Sequence, residues 1–453
     1  MSSLPFPSGF TEHLAKQTGV HQQTLLEVLN TEAPASIRLN KKKAAPAFDN
    51  QAAIPWSTSG RYLKSRPAYH LDPNWHAGAY YVQEASSMFV EHVMKQLSTG
   101  ERIRVLDLCA APGGKSLIVS DSLADNSLLV SNEVIKTRVP VLRENTERWG
   151  AVHTLITSQD AKDFQRLPAF FDIILVDAPC SGSGLFRKEP ESRKEWSMDN
   201  VLHCAERQGR ILNDVMPALQ ANGFLIYATC SYSHEENEAQ MDWLLSSFPC
   251  ASVQIPVPPH WGIVETVSEQ GAYGYRFYPD QLQGEGFFLS VLQLQEAIPA
   301  SITPRDGNNA YTPVNNEMKL ILQQHVCTPF EASFVFSKEG NYHMIPKALL
   351  DSALLVSNRM AVKYFGVEIG SMKGPHFIPA HGLAMSSCYA THTPVTEVSL
   401  ENAWRYLRRE DLSAELFPDG WSLISYAGNI LGWIKKIPHR INNYYPMGYR
   451  LRK

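Results

Sequence analysis

Between Ile103 and Cys230 the chain alternates five short apolar runs with longer stretches of helical spacing. The runs are "IRVLDL" (103–108), "LLVSNE" (128–133), "AVHTLITS" (151–158), "FDIILVDA" (171–178) and "GFLIYATC" (223–230). Each has the length and the Val, Ile and Leu content of a strand buried on both faces. Between the last two, Leu202, Ala205, Ile211, Leu212, Val215, Met216 and Leu219 mark one face of a helix over 201–220, with Gly223 as its stop. Strands alternating with helices specify an open, mainly parallel sheet covered on both sides, an α/β fold. Such sheets bind ligands in the crevice beyond the carboxyl ends of their strands. The residues that close each run are therefore the candidates for function.

The rest of the chain is organised around that block. Its 453 residues predict two to four domains at roughly 100–200 residues each. After Cys230, Ser233 and Glu236 have the spacing of a capping box opening a helix through Leu244 and Leu245. "PASITPRDGNNAYTP" (299–313) reads as a linker. Beyond it come "SFVFS" (333–337) and "WSLISYAGNILGWIKKI" (421–437), the latter with Gly428-Asn429 as a hairpin turn. A small α+β region ending in a β-rich module is expected.

No apolar run reaches the ~18 residues of a membrane span, and "MSSLPFPSGF" lacks the features of a signal peptide. Seven cysteines without a C-x-x-C pair indicate free thiols in a reducing, cytoplasmic setting, with no disulfide framework and no zinc or other metal site. A net charge of −4 does not by itself advertise a nucleic-acid partner. Local basic character does. Arg38, Lys41, Lys42, Lys43, Arg61, Lys64 and Arg66 face one acid, Asp49, between 34 and 66. Near the C-terminus Lys435, Lys436, Arg440, Arg450, Arg452 and Lys453 are interleaved with Trp433, Tyr444, Tyr445 and Tyr449. Phosphate-binding surfaces are built this way, and so are solvated faces.

The first strand ends in "VLDLCAAPGGKS" (105–116). Gly113 and Gly114 let backbone approach a ligand, and a helix start supplies free N–H groups. A P-loop would need glycine where Cys109 stands, so "GGKS" is not one. Glu133 ends the second strand at the place of a ribose-binding acid, and Asp160 follows the third. This set fits a nucleoside cofactor without phosphates, S-adenosylmethionine. Strand-end acids also serve as helix caps.

Cys180 and Cys230 follow the fourth and fifth strands and should converge at the same sheet edge, with Asp177 three residues before Cys180. Cys109, Cys204, Cys250, Cys327 and Cys388 read more simply as small hydrophobes. Carbon 5 of cytosine is a poor nucleophile until a thiolate adds to carbon 6. A thiol beside a methyl donor is the chemistry such a reaction needs. Asp177 suits the protonation or hydrogen bonding of N3. The base must be extruded or single-stranded to reach the pocket. On these grounds the two thiols are equivalent.

"DLCAAPGGKS", "NE" with Arg138, "DAPCSGSG" and "TCS" with "EENE" resemble the Nol/Nop/Sun family of RNA (cytosine-5)-methyltransferases, and "SIRLN", "YYVQEASSM" and "GEGFF" extend the match over residues 34 to 295. The tail "GWIKKIPHRINNYYP" is similar to a bacterial branch that modifies small-subunit ribosomal RNA and carries an extra domain and a PUA-like module. The resemblance implies a Rossmann-like class I methyltransferase sheet with an N-terminal RNA-binding extension (1–100), a methyltransferase domain (101–298), an α+β domain (299–385) and a PUA-like RNA-binding module (386–453). It implies Cys230 as nucleophile, Cys180 assisting product release and Asp177 contacting cytosine and cofactor. Cys109, Ala110, Ala111, Pro112, Gly113, Gly114, Lys115, Glu133, Arg138 and Asp160 would complete the S-adenosyl-L-methionine pocket. Gly114 stands where some relatives have serine, a change expected to matter little. Gln83 and Glu84 are further candidates for the base pocket, and Arg187 and Lys188 for phosphate. The implied substrate is 16S rRNA or the small ribosomal subunit, acted on by a monomer. The alternatives are the same reaction on tRNA or 23S rRNA, or a non-catalytic assembly factor.

Overall fold

The computed structural model describes residues 4–97, 102–304, 307, 310–438 and 440–452. Lys453, positions 305, 306, 308 and 309 of the linker, and the expected boundary at 100/101 lie outside the described residues. Near the N-terminus β1 (Ala35–Leu39), β2 (Gly60–Leu63) and β3 (Tyr80–Val82) form an antiparallel sheet in the order β2-β1-β3. The five apolar runs become β4 (Arg104–Asp107), β5 (Leu128–Asn132), β6 (Thr154–Thr157), β7 (Phe171–Asp177) and β8 (Leu219–Thr229). They pair in parallel in the order β8-β7-β4-β5-β6.

The sheet is larger and more mixed than expected. On one side β9 (Cys250–Ser252), β10 (Val264–Val267), β11 (Tyr273–Phe277) and β12 (Phe287–Leu294) add antiparallel strands, giving the order β10-β11-β12-β8 with β9 also on β12. After β13 (Tyr311–Pro313), β14 (Ala332–Ser337) and β15 (Tyr342–Pro346), β16 (Val362–Phe365) crosses over to close the opposite edge against β6. Five of the ten strands are thus antiparallel additions. The segment read as a linker contributes β13, which pairs with β14.

Alternation along β7 shows why the middle of the sheet is apolar on both faces. Ile173 and Leu175 pack with Val90, Val93 and Met94 of the helix Phe89–Leu97. Ile174 and Val176 pack with Ile211, Leu212 and Val215 on the other side. The latter belong to a helix that runs Met198–Val215, not 201–220. Ser197 caps its start by accepting from Asn200 N at 3.1 Å. Pro217, lacking an N–H, sits in the tighter turn Met216–Ala218 that ends it. Gly223, the expected stop, lies inside β8, where a Cβ would come within 2.8 Å of Leu219. The Ser233–Glu236 capping box does not form either. The helix is Glu238–Ser247, preceded by a short turn His234–Glu236, and the Glu236 carboxylate points elsewhere.

Past β17 (Val367–Lys373) and β18 (His376–Pro379), which complete a five-stranded sheet with β13–β15, comes a four-stranded module. It contains β19 (Val395–Glu397), β20 (Gly420–Tyr426), β21 (Asn429–Ile437) and β22 (Arg440–Asn443). Tyr426 pairs with Asn429, so the hairpin turn is Ala427-Gly428, both left-handed at φ 49° and 77°, and not Gly428-Asn429. Asn429 instead donates to Ala44 O at 2.7 Å and Asn74 Oδ1 at 2.9 Å, tying the module to the N-terminal segment.

Part of the basic patch turns out to be internal. Arg38 is fully buried, 2.8 Å from Asp121 and 4.0 Å from Glu91. Lys43 donates to Ala77 O at 2.6 Å and to Arg148 O at 2.7 Å, capping the helix Val139–Trp149; burial, reinforced by Arg148, lowers its pKa to about 7. Lys41, Lys42, Lys64 and Arg66 remain exposed. In the C-terminal patch Trp433 and Tyr445 are core residues. Tyr449 reaches Glu147 at 3.0 Å, and Arg440, Arg450 and Arg452 are exposed. No helix among the described residues is long and apolar enough to cross a membrane.

Glu91 joins the extension to the sheet, accepting from Ser57 Oγ and Thr58 Oγ1 at 2.5 Å each and from Lys95 Nζ at 2.9 Å. Burial pushes its carboxyl up, but the two hydroxyls, Arg38 and Lys95 outweigh it and hold the pKa at about 2. A depressed carboxyl contributes stability that is present above 4.5, its ordinary value, and is lost as pH falls toward 2. Glu91→Gln should cost about 1–3 kcal/mol near neutrality and flatten the acid limb of the stability curve. Urea melts across that pH window test this; an unchanged acid slope contradicts it.

Candidate active site

Both thiol loops leave the sheet at adjacent strand ends. β7 pairs with β8 so that Asp177 lies opposite Ala228. The chain then turns through Ala178 to Gly184 on one side and Cys230 to Ser233 on the other. The result is a Cys180 Sγ–Cys230 Sγ separation of 3.1 Å. Glycines make the approach possible. Gly184 N donates to Cys230 O at 2.7 Å, and Gly286 N donates to Gly184 O at 3.2 Å. A Cβ on Gly184 would fall inside contact distance of Gly286 O and 2.7 Å from Cys230 O. One on Gly286 would lie 2.5 Å from Gly184 Cα. The "DAPCSGSG", "TCS" and "GEGFF" segments are therefore stitched backbone to backbone.

Lys115 projects from the first turn of the helix Gly114–Ser122 and pairs with Asp177 at 2.8 Å. Burial opposes its charge, but Asp177, with Cys230 and Asp107 nearby, outweighs that and raises the Lys115 pKa. The lysine expected only in the cofactor loop thus bridges that loop to the acid before Cys180. The hydrogen bond to Cys230, followed by burial, pushes the Cys180 thiol well above its usual range.

The glycine loop wraps the ends of β4 and β5. Ala110 N donates to Asn132 O at 2.8 Å, Arg138 Nη2 to Ala111 O at 2.5 Å, and Asn145 Nδ2 to Pro112 O at 2.8 Å. Gly113 is left-handed at φ 121°, with an added Cβ 3.3 Å from Leu142. Cys109 lies within this loop and burial raises its thiol. Glu133 is buried, 3.4 Å from Arg138. Asp107 is fully buried with Oδ1 unpartnered; burial, aided by the Asp177 and Glu133 charges and eased by Ser116, raises it to about 7. A bare glycine backbone, an acid at the end of β5 and an orphaned carboxylate oxygen fit a nucleoside carrying an amino-acid tail.

Other candidates fare differently. Asp160 caps the turn Ala161–Arg166 and pairs with Arg210 at 3.2 Å, the helix-cap use of a strand-end acid. Gln83 lies against Gly114 with its Oε1 unpartnered. Glu84 caps Ser86 N and Ser87 N and accepts from Glu285 N at 2.8 Å. Arg187 is buried, paired with Glu285 at 2.8 Å and donating to Gly284 O, so it is not a free phosphate ligand. Lys188 is exposed. A Cβ at Gly114 would lie 3.1 Å from the Tyr81 ring and 3.3 Å from Gln83 Nε2, so serine there is a tighter fit than its size suggests.

The same segments are recognised by comparison with known proteins. Residues 94–293 match the model described as 16S rRNA methyltransferase RsmB/F. Residues 6–85 match the N-terminal domain of 16S rRNA methyltransferase RsmF, and 393–451 the methyltransferase RsmF PUA domain. Together the three models cover residues 6–85, 94–293 and 393–451, most of the chain. They describe an rRNA methyltransferase, whose cofactor is S-adenosyl-L-methionine. It is 27% identical to ribosomal RNA small subunit methyltransferase F of Escherichia coli O157:H7, over 98% of this chain and 93% of that one. The protein of the same name from Shewanella frigidimarina is 26% identical over 97% of this chain and 96% of that one. Among solved structures, a methyltransferase homolog protein from Pyrococcus horikoshii shares 26% identity at a TM-score of 0.53, over 62% of this chain and 93% of that one. NSun6 from Pyrococcus horikoshii with SFG shares the fold at a TM-score of 0.55 and 18% identity, over 64% and 99%.

Gly184→Ala should lower methyl transfer by about 10²-fold through displacement of the Cys230 loop, the scale of an ångström-sized misplacement. Cofactor affinity, set at β4 and β5, should hold. Calorimetry beside a turnover assay checks both, and full activity contradicts the stitching.

Proposed function

We propose that this enzyme methylates carbon 5 of a cytosine in 16S rRNA through a covalent bond between Cys230 and carbon 6. The observation that carries the reading is the sulfur pair at 3.1 Å beside the Lys115–Asp177 ion pair at 2.8 Å, both at the cofactor edge of the sheet. The cofactor supplies an electrophilic methyl group. Cys230 sulfur adds to carbon 6, and the ring electrons move to carbon 5, which takes the methyl. As negative charge develops toward N3, the Lys115–Asp177 pair supplies the proton taken up there. A base in the pocket then takes the carbon 5 proton, the carbon 5–carbon 6 double bond reforms, N3 returns its proton to the pair, and the sulfur leaves as thiolate. Cys180 stands 3.1 Å from the leaving sulfur and assists that last step.

The similarity to ribosomal RNA small subunit methyltransferase F supports 16S rRNA over tRNA or 23S rRNA. Assembled thiols and ion pair weigh against a non-catalytic assembly factor. Residues 1–100 and 386–453 serve as the RNA-holding parts, with Lys41, Lys42, Lys64, Arg66, Arg440, Arg450 and Arg452 as exposed cations. Residues 101–298 carry the chemistry, with Cys109–Lys115, Glu133, Arg138, Asp160 and Asp177 around the cofactor. All seven cysteines are free, which supports a cytoplasmic setting.

Cys230→Ala should reduce turnover at least about 10³-fold while cofactor binding persists. Cys180→Ala should instead accumulate a denaturation-resistant RNA–protein adduct, visible on a gel. Turnover by the first variant, or no adduct with the second, contradicts the assignment. Bisulfite mapping of ribosomal and transfer RNA from cells lacking the gene identifies the target; an unchanged 16S map rules out that substrate.

A further inference from the structure

Glu236 is one of the few fully buried acids in the chain, and it makes no ion pair with Lys or Arg among the described residues. Its carboxylate is filled by hydrogen bonds. Oε2 accepts from Ser181 Oγ and from Ser231 Oγ, both at 2.5 Å. Oε1 accepts from Ser181 N at 2.7 Å and from Gln208 Nε2 at 3.2 Å. The two serines are the residues directly after Cys180 and Cys230, and their hydroxyls lie 3.2 Å apart. Gln208 also donates to Pro179 O at 3.1 Å, the residue before Cys180. Asn237, next along the chain, holds Thr229 at 2.6 Å and Ser231 O at 2.8 Å on the other flank. One side chain and its neighbour therefore grip both thiol loops within a residue of each sulfur.

We propose that Glu236 is the positioning residue that sets the Cys180–Cys230 spacing, a single carboxylate clamping both loops through the serine following each cysteine. Four donors converge on two oxygens. An amide keeps an acceptor for Ser181 N and Gln208 but must reverse both serine hydroxyls, exchanging charge-assisted bonds for weaker neutral ones. Aspartate is one methylene short and cannot reach both loops. The clamp lies on the buried side of the loops and touches neither the glycine loop nor Glu133. Its loss should therefore move the sulfurs without moving the cofactor. The catalytic meaning of the spacing rests on the covalent mechanism proposed above; the spacing itself does not.

The test uses the full-length protein with Glu236→Gln and Glu236→Asp. Bridging of Cys180 to Cys230 by dibromobimane, located by peptide mass spectrometry, reads the sulfur spacing directly. Each variant should bridge at least about tenfold more slowly than the parent, and kcat should fall about 10²-fold, with KM for RNA and for S-adenosylmethionine nearly unchanged. Should Glu236→Gln fail to fold, the Ser181→Ala/Ser231→Ala double variant removes both hydroxyl contacts and is held to the same outcome. Parent-like bridging and kcat in a folded variant overturn the proposal. A Cys180→Ala variant that traps no RNA adduct, in a protein whose parent bridging still depends on Glu236, overturns the covalent mechanism and leaves the clamp standing.

Discussion

The parallel pairing of β7 and β8, with Asp177 opposite Ala228, sends two loops out of the same sheet edge. Because the strands run in the same direction, their carboxyl ends coincide, and Cys180 and Cys230 meet without either loop needing to be long. An antiparallel neighbour would have placed one thiol at the far end of the sheet. The five parallel strands occupy the centre and the antiparallel ones the edges. The chemistry is thus confined to the part of the fold buried on both faces, where the backbone has least freedom to shift.

Charge within the site is arranged by burial as much as by contact. Asp107, Glu133 and Asp177 gather around the glycine loop, with Lys115 paired to Asp177 and Arg138 to Glu133. Burial, aided by the neighbouring carboxylates, pushes Asp107 toward neutrality, and Asp177 strengthens the charge on Lys115. The hydrogen bond between the two sulfurs, with burial, also pushes the Cys180 thiol well above its usual range.

The accessory segments are not loosely tethered. Phe10, Leu14, Leu25 and Leu29 pack on Phe186, Trp196 and Tyr232, just past the two thiol loops. The helix Val139–Trp149, whose N-terminus borders the cofactor loop, meets β17 through Arg143–Glu368 at 2.7 Å and the C-terminal tail through Glu147–Tyr449 at 3.0 Å. Burial, partly offset by Arg143, raises Glu147 to about 7, so the carboxyl that accepts from Tyr449 titrates near neutral pH. The C-terminal elements and the glycine loop therefore share one helix.

Sequence alone determined the five central strands, because a strand buried on both faces must be written as a short apolar run. It determined the glycine loop and the two cysteines, since each follows such a run directly. What it could not determine were features set by distant partners. The Ser233–Glu236 spacing satisfied a local rule, yet Glu236 found better donors on loops 55 and 5 residues away. Arg38, Lys43 and Arg187 looked like phosphate ligands until buried acids and carbonyls claimed them. The helix end at Pro217 and the Ala427-Gly428 turn were local, but a competing glycine nearby concealed each. The antiparallel edges and the 3.1 Å spacing of the two thiols were decided only by the folded structure. Hydrophobic pattern is a property of the chain, whereas hydrogen-bond partners and desolvation belong to the space into which the chain folds.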